Sequence, residues 1–399
     1  MFDSLQPLPP DPILGLNAAF KADSNPKKVD LGIGVYKDEN GATPVMKAVK
    51  EAEKRILDSQ ITKAYVGPMG AVGYNEAVAE LILGSTLKNS LGGRRITIQT
   101  PGGCGGLRIA AEFIAQANPN ATVWVSDPTW ANHKPLIGSA GLDFKSYPYY
   151  DHKTHAVDFD GMLSALGNVS NGDVVLLHGC CHNPSGADLS PNQWIAIRDL
   201  ALKQGFTIFV DLAYQGMGDG LEEDVAGVRL LAESLPELIV VSSCSKNFGL
   251  YRERTGAISL ICQNEVATSS AGTLLAAAAR ANYSMPPDHG AAIVQLICED
   301  QSLYSMWQEE LKGIRNRING LRVTFSESLK QSGAENDFSF IQNEKGMFSF
   351  LGVTQGQIQE LINKYAIYLV NSSRINVASI NRGNIDYVSE SITTVIKTT

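Results

Sequence analysis

The chain has 399 residues, 44% of them hydrophobic and 19% charged, enough for a large buried core and more than one domain. A net charge of −8, with Lys27-Lys28 and Arg94-Arg95 as isolated basic pairs, excludes a nucleic-acid-binding stripe. No apolar run reaches the ~18 residues that a membrane span needs.

Residues 1–12 carry Pro7, Pro9, Pro10 and Pro12. They read as neither a helix nor a signal or transit peptide, and such an arm is either frayed or laid across a partner subunit. Asp11-Pro12 then caps a helix. Residues 29–36 read as a strand whose Gly32 and Gly34 allow close approach to the backbone, and residues 45–57 have helical periodicity. From about Ile96 short apolar runs alternate with helical patterns. Strands are expected at 95–100, 122–126, 173–179, 207–210, 238–243 and 257–262, with helices at 107–117 and 194–203. Such alternation predicts an α/β fold in which helices cover both faces of a sheet. A long helical region follows at about 290–331. Strands near 346–350 and 375–377 then belong to a smaller α/β domain. The expected division is an arm at 1–12, a small domain of 13–45 with 314–399, and a large domain of 46–313. Internal repeats are absent.

Ligands of such sheets bind beyond the carboxyl ends of the strands. Asn183, Asp211 and Lys246 all follow strand ends. A lone lysine delivered into the small-residue loop Ser243-Cys244-Ser245 is desolvated, which makes its amine a nucleophile or base. Asp211 and Tyr214 offer a carboxylate for a ring nitrogen and a phenol for a ring oxygen. Gly102-Gly103-Cys104-Gly105-Gly106 opens a helix, where backbone N–H groups converge on an anion. That run fits neither the dinucleotide nor the nucleoside-triphosphate glycine pattern. An amine, an acid and an anion cradle are the parts of a pyridoxal phosphate site. The cysteines (Cys104, Cys180, Cys181, Cys244, Cys262 and Cys298) show no metal-ligand spacing, so reduced thiols, no metal and a cytoplasmic protein are expected.

Several segments carry a resemblance, in order and nearly end to end: Asp30 to Glu39, Ser126 to Trp130, His178 to Gly186, Asp211 to Gly216, Ser243 to Gly256 and Ser373 to Ala378. Together they resemble the class I, fold type I, pyridoxal-phosphate aminotransferases of the aspartate/aromatic branch, which implies a three-layer αβα large domain with a mostly parallel, mixed sheet and a smaller α/β domain. The resemblance implies transamination between L-aspartate and 2-oxoglutarate, or an aromatic or dual specificity. It implies Lys246 as the amine that holds pyridoxal 5′-phosphate and then shuttles a proton, and Asp211 as the partner of the pyridine nitrogen. Asn183 and Tyr214 would bond the ring oxygen, Trp130 would stack on the ring against Ala213, and His133 and His178 would support Asp211. Gly103, Cys104, Ser243 and Arg254 would hold the phosphate, joined by Tyr65 of a second subunit. Arg374 would fork onto the substrate α-carboxylate, and Arg280 would reach the distal carboxylate across a homodimer. Ile13, Gly34 and Phe348 would line the substrate side.

Three residues depart from the family pattern: Cys104 for Thr or Ser, Gly106 for Ala, and Met285 for the Asn of aspartate-selective members. Val35, Lys37 and Thr43 look aspartate-like, whereas Ala64, Cys104 and Met285 match neither type. Two other classes compete with this reading. Ser243-Cys244-Ser245-Lys246 satisfies the SxxK pattern of serine acyltransferases, but it follows a strand and lacks the companion motifs. A binding module that had lost turnover would be expected to lose Lys246, Asp211 or Arg374, and all three are present.

Overall fold

The structure, a computed structural model, describes residues 2–7 and 12–398. Five residues of the expected N-terminal arm, residue 1 and residues 8–11, lie outside the described residues. The chain divides into two compact units. One comprises Pro44–Asn183 and Ala187–Asn316; the other runs to Thr43 and takes up Pro184–Gly186 and the residues from Arg317 onward. The excursion at Pro184–Gly186 has no counterpart in the sequence-based division, and Lys345 N–H donates to the Gly186 carbonyl at 2.7 Å.

The larger unit is built on a seven-stranded sheet. Its strands are β1 (Arg95–Pro101), β2 (Thr122–Asp127), β3 (Asp143–Pro148), β4 (Val174–His178), β5 (Thr207–Leu212), β6 (Leu238–Ser243) and β7 (Thr255–Ile261). Their spatial order is β1-β7-β6-β5-β4-β2-β3. Only β7 runs antiparallel to its neighbours. Val123, Val125, Leu176, Phe209, Val241 and Ile258 point into one buried core with the helices Gly102–Ala117 and Glu265–Asn282. Strands buried on both faces need β-branched and aliphatic residues at every position, which is why these runs were legible.

Parallel strands put their carboxyl ends along one edge. Register pairs His178 with Asp211, Asp211 with Val241, Gly256 with Ser243, and Thr255 with Pro101. Because β7 is antiparallel, its first residues lie at that same edge. Arg254, immediately before β7, therefore joins residues that follow the ends of the other strands.

In the smaller unit, Leu31, Phe325, Ile341, Ile358, Ile375 and Ile392 belong to a separate core. One expectation is corrected here and another is refined. The strand predicted at 29–36 is only Val29–Asp30, because the Asp30 carboxylate accepts the N–H groups of Gly32 (2.9 Å) and Ile33 (3.2 Å) and turns the chain. The long helical region is two helices, Asp288–Glu299 and Gln301–Gln331. Asp300 interrupts them and caps the second by accepting from Ser302 and Leu303 N–H, each at 2.9 Å. Among the described residues, no helix is long and apolar enough to cross a membrane.

Candidate active site

The edge of the larger sheet gathers an anion cradle, an amine and a clamped carboxylate. The cradle is the start of the helix Gly102–Ala117, which begins five residues earlier than periodicity suggested. Gly102 has φ +68°, and a Cβ there would lie 2.4 Å from Arg254 Nη2. Only glycine lets the guanidinium come against the helix end. Arg254 Nη1 is held by the Tyr251 carbonyl (2.9 Å) and Ser245 Oγ (3.4 Å), and Ser245 Oγ accepts from Ser243 Oγ at 3.1 Å. Cys104 lies in the first turn, and its Sγ accepts from Asn132 Nδ2 at 3.5 Å. Burial pushes the Cys104 thiol up, against the pull of Arg254 and Asn132, so it is a protonated thiol at neutral pH.

Lys246 lies three residues beyond β6, with Nζ 4.9 Å from the centroid of the Tyr214 ring. Burial pulls the ammonium below its ordinary range; Asp211 opposes the shift and Arg254 reinforces it. Asp211 is not beyond its strand but inside β5, and it is buried. Its Oδ2 accepts from His133 Nε2 at 3.1 Å. Burial pushes this carboxyl up, but the His133 hydrogen bond and nearby positive charge outweigh it, and the net shift is downward. An acid so held keeps its charge in a place where water cannot supply compensation.

Behind Asp211 stands a buried relay. Thr129 Oγ1 bonds His133 Nδ1 (2.7 Å) and His178 Nε2 (3.2 Å). His178 lies against His182, ring centroids 4.2 Å apart, and Tyr149 stacks on His182 at 4.0 Å. Burial, with His133 adding to it, takes the His178 imidazole down to about 3, and burial takes His182 well below its ordinary value. Both rings are neutral at neutral pH. Asp188 accepts the N–H groups of Cys181 (2.7 Å) and His182 (2.8 Å), fixing the loop that carries the buried Asn183. Sequence reading missed Thr129, His182, Tyr149, Asp188 and Ser245. The signal available was position alone, since each lies within a few residues of a strand end or of Asn183.

Residues 26–392 match the family model described as aminotransferase class I and II. The chain belongs to this family. It is 46% identical to the aspartate aminotransferase of Haemophilus influenzae over 99% of this chain and 100% of that protein. It is 44% identical to the aromatic-amino-acid aminotransferase of Paracoccus denitrificans over 98% of this chain and 99% of that one. Among solved structures, an aromatic-amino-acid aminotransferase from Burkholderia pseudomallei, covalently bound to pyridoxal phosphate, superposes with a TM-score of 0.96 at 43% identity. That match covers 99% of each chain.

This aminotransferase therefore brings together Gly103, Cys104, Ser243, Arg254, Lys246, Tyr214 and Asp211 along one edge, with Asn183 in the loop after β4. Trp130 is half-buried and meets His133 edge-on at 5.4 Å. Tyr65 and Arg280 are exposed; Arg280 lies in the last turn of the helix Glu265–Asn282 and donates to Ser284 Oγ. In the smaller unit, Arg374 is buried, donates to the Gly32 carbonyl at 2.6 Å, and lies 4.4 Å from the centroid of Phe348. A Cβ on Gly34 would lie 3.2 Å from Phe348 Cζ, and Ile13 is half-buried in the helix Pro12–Ala22.

Proposed function

We propose that this aminotransferase uses pyridoxal 5′-phosphate to move the amino group of L-aspartate to 2-oxoglutarate, giving oxaloacetate and L-glutamate. The observation that carries the cofactor reading is the cradle in which any Cβ at Gly102 would strike Arg254. It leaves a helix N-terminus and a cation open to one anionic group. Gly103, Cys104, Ser243 and Arg254 hold the phosphate, and Lys246 holds the aldehyde end. When bound, the cofactor supplies a carbonyl carbon that accepts the amino group and an aromatic ring that withdraws electrons from the substrate Cα.

The protein's own part is proton placement. Asp211, kept charged by His133, holds a proton at the pyridine nitrogen. Lys246 Nζ takes the proton from the substrate Cα and returns it to the cofactor side, and its lowered pKa enlarges the neutral fraction available as a base. Asn183 and Tyr214 donate to the ring oxygen, and Trp130 covers one ring face. Arg374 forks onto the α-carboxylate, a geometry that lysine cannot reproduce.

Arg280 supports a dicarboxylic substrate, since a second fixed cation suits a second carboxylate. Its exposure, with that of Tyr65 (88%), Ile61 (99%) and Leu57 (82%), supports a homodimer in which a second copy completes the site. Six free cysteines are in keeping with the cytoplasm. Relatives named for aromatic substrates at similar identity favour dual specificity as the alternative. The test is kcat/KM for aspartate against phenylalanine, with 2-oxoglutarate as acceptor. Loss of one charge-assisted pair, about 1.5–3 kcal/mol, predicts a ten- to hundredfold advantage for aspartate. A preference for phenylalanine would overturn the assignment.

A further inference from the structure

The smaller unit contains a buried arginine that none of the roles above uses. Arg322, on the helix Gln301–Gln331, is 1% exposed. Its guanidinium donates to the carbonyls of Ile341 (3.1 Å), Lys345 (3.1 Å), Gly346 (2.7 Å) and Phe348 (2.6 Å). It also reaches Ser349 Oγ at 2.9 Å and Glu344 Oε2 at 3.4 Å, and Ser349 Oγ in turn donates to Glu344. Carbonyls, a hydroxyl and a carboxylate from one short segment converge on one planar fork. Five N–H donors in fixed directions can meet them; an ammonium, with three, cannot.

That segment ends in the strand Phe348–Phe350, which pairs antiparallel with Arg374–Asn376 so that Phe350 faces Arg374. The Phe348 carbonyl is thus held by Arg322 while its ring lies beneath the Arg374 guanidinium, 4.4 Å from ring centroid to Cζ. Arg374 is also tied to the Gly32 carbonyl, and the ring face constrains the plane of its guanidinium.

We propose that Arg322 is a positioning residue for carboxylate recognition: it locks the Phe348 backbone, and the Phe348 ring sets the plane in which Arg374 receives its anion. The inference rests on the reading of Arg374 as the carboxylate partner. The test uses cofactor-loaded holoenzyme carrying Arg322→Lys, Phe348→Leu or Ser349→Ala, with Arg374→Lys as control. Succinate, an unreactive dicarboxylate, is titrated by calorimetry, and kcat and KM for aspartate are measured alongside cofactor content.

R322K and F348L are each expected to weaken succinate and raise the aspartate KM about tenfold, with S349A near threefold and kcat changed less than about threefold. A purely structural role would lower the loaded fraction and leave the succinate affinity of the remaining holoenzyme unchanged. If R374K weakens succinate while R322K and F348L bind it like the wild type, the positioning role is overturned and the carboxylate reading stands. If R374K itself binds normally, both fall. Should R322K not accumulate as holoenzyme, F348L and S349A decide, since neither removes the buried cation.

Discussion

Replacing His178 by glutamine tests whether the relay behind Asp211 depends on a neutral ring. In the folded protein His178 is held at about 3, against an ordinary value near 6.5, chiefly by burial and then by His133. A depressed base binds fewer protons folded than unfolded between those two values. Its contribution to stability is therefore complete above about pH 6.5 and is lost as pH falls. The gap of about 3.5 units corresponds to about 5 kcal/mol in all, of which about 3 kcal/mol is lost by pH 4.5. Glutamine takes up no proton and escapes this loss, although it forfeits the tilted ring contact with His182.

Urea unfolding of both proteins, followed by tryptophan fluorescence at about pH 8 and pH 4.5, reads the effect of His178 together with its coupled neighbours His182 and Asp211, because titrating groups elsewhere cancel in the difference. The wild type should be the more stable at the higher pH, and its advantage should shrink by about 3 kcal/mol at the lower one. Nitrogen-15 NMR of the imidazoles should find His178 unprotonated down to about pH 4. Parallel stability curves, or a His178 resonance titrating near pH 6.5, would refute the reasoning. The functional stake is the charge on Asp211: a cationic His178 so close would compete with a ring nitrogen for that carboxylate.

Two further predictions concern departures from the family pattern. At Gly106, a Cβ would lie 2.8 Å from Val241 Cγ1 and 3.1 Å from Thr100 Oγ1. Gly106→Ala gains about 1 kcal/mol of helix propensity but incurs about 1–3 kcal/mol of overpacking, so a net loss near 1 kcal/mol is expected in thermal unfolding. A double-mutant cycle with Val241→Ala should show coupling above about 0.5 kcal/mol, and simple additivity would contradict the contact. Cys104→Ser keeps an acceptor for Asn132 Nδ2 while adding a hydroxyl donor at the helix start. Equilibrium dialysis should find pyridoxal phosphate bound ten- to hundredfold more tightly, the equivalent of about 1.5–3 kcal/mol; unchanged affinity would mean that the position 104 side chain does not face the phosphate.

What could be read from the sequence follows from what burial demands. The central strands are apolar at every position because both faces are covered, so β4, β5 and β6 and the residues at their ends were visible as runs. Strand β3, at the sheet edge, is mostly exposed and reads Asp143-Phe144-Lys145-Ser146-Tyr147-Pro148, with no run to find. The helix Glu265–Asn282 was overlooked because its alanines give little hydrophobic contrast between faces. The Asp30 turn was read as strand because a hydrogen bond from the side chain to the backbone leaves no mark on periodicity. Lys246 and Asp211 were recognised by residue type beside strand ends. His133 and His178 came from the resemblance, but Thr129 and His182 were missed because they act across strands, and Asp188 because it acts on backbone N–H groups of its own loop; no linear pattern encodes either.

The electrostatics of the large unit's edge also fix which way round a cofactor can sit. One end combines a helix N-terminus, worth about half a positive charge, with the Arg254 guanidinium. The other is the buried Asp211 carboxylate, held charged by His133. A reversed ligand would set a phosphate dianion beside that carboxylate. At an effective dielectric of about 20, each like-charge pair at about 4 Å costs about 4 kcal/mol, and the dianion doubles it. Hydrogen bonds regained elsewhere, at about 1 kcal/mol each, would have to number several to compensate. On the proposed reading, the polarity of the edge favours one orientation before any contact with the ring is made, and Lys246 is the desolvated amine among the described residues of that edge.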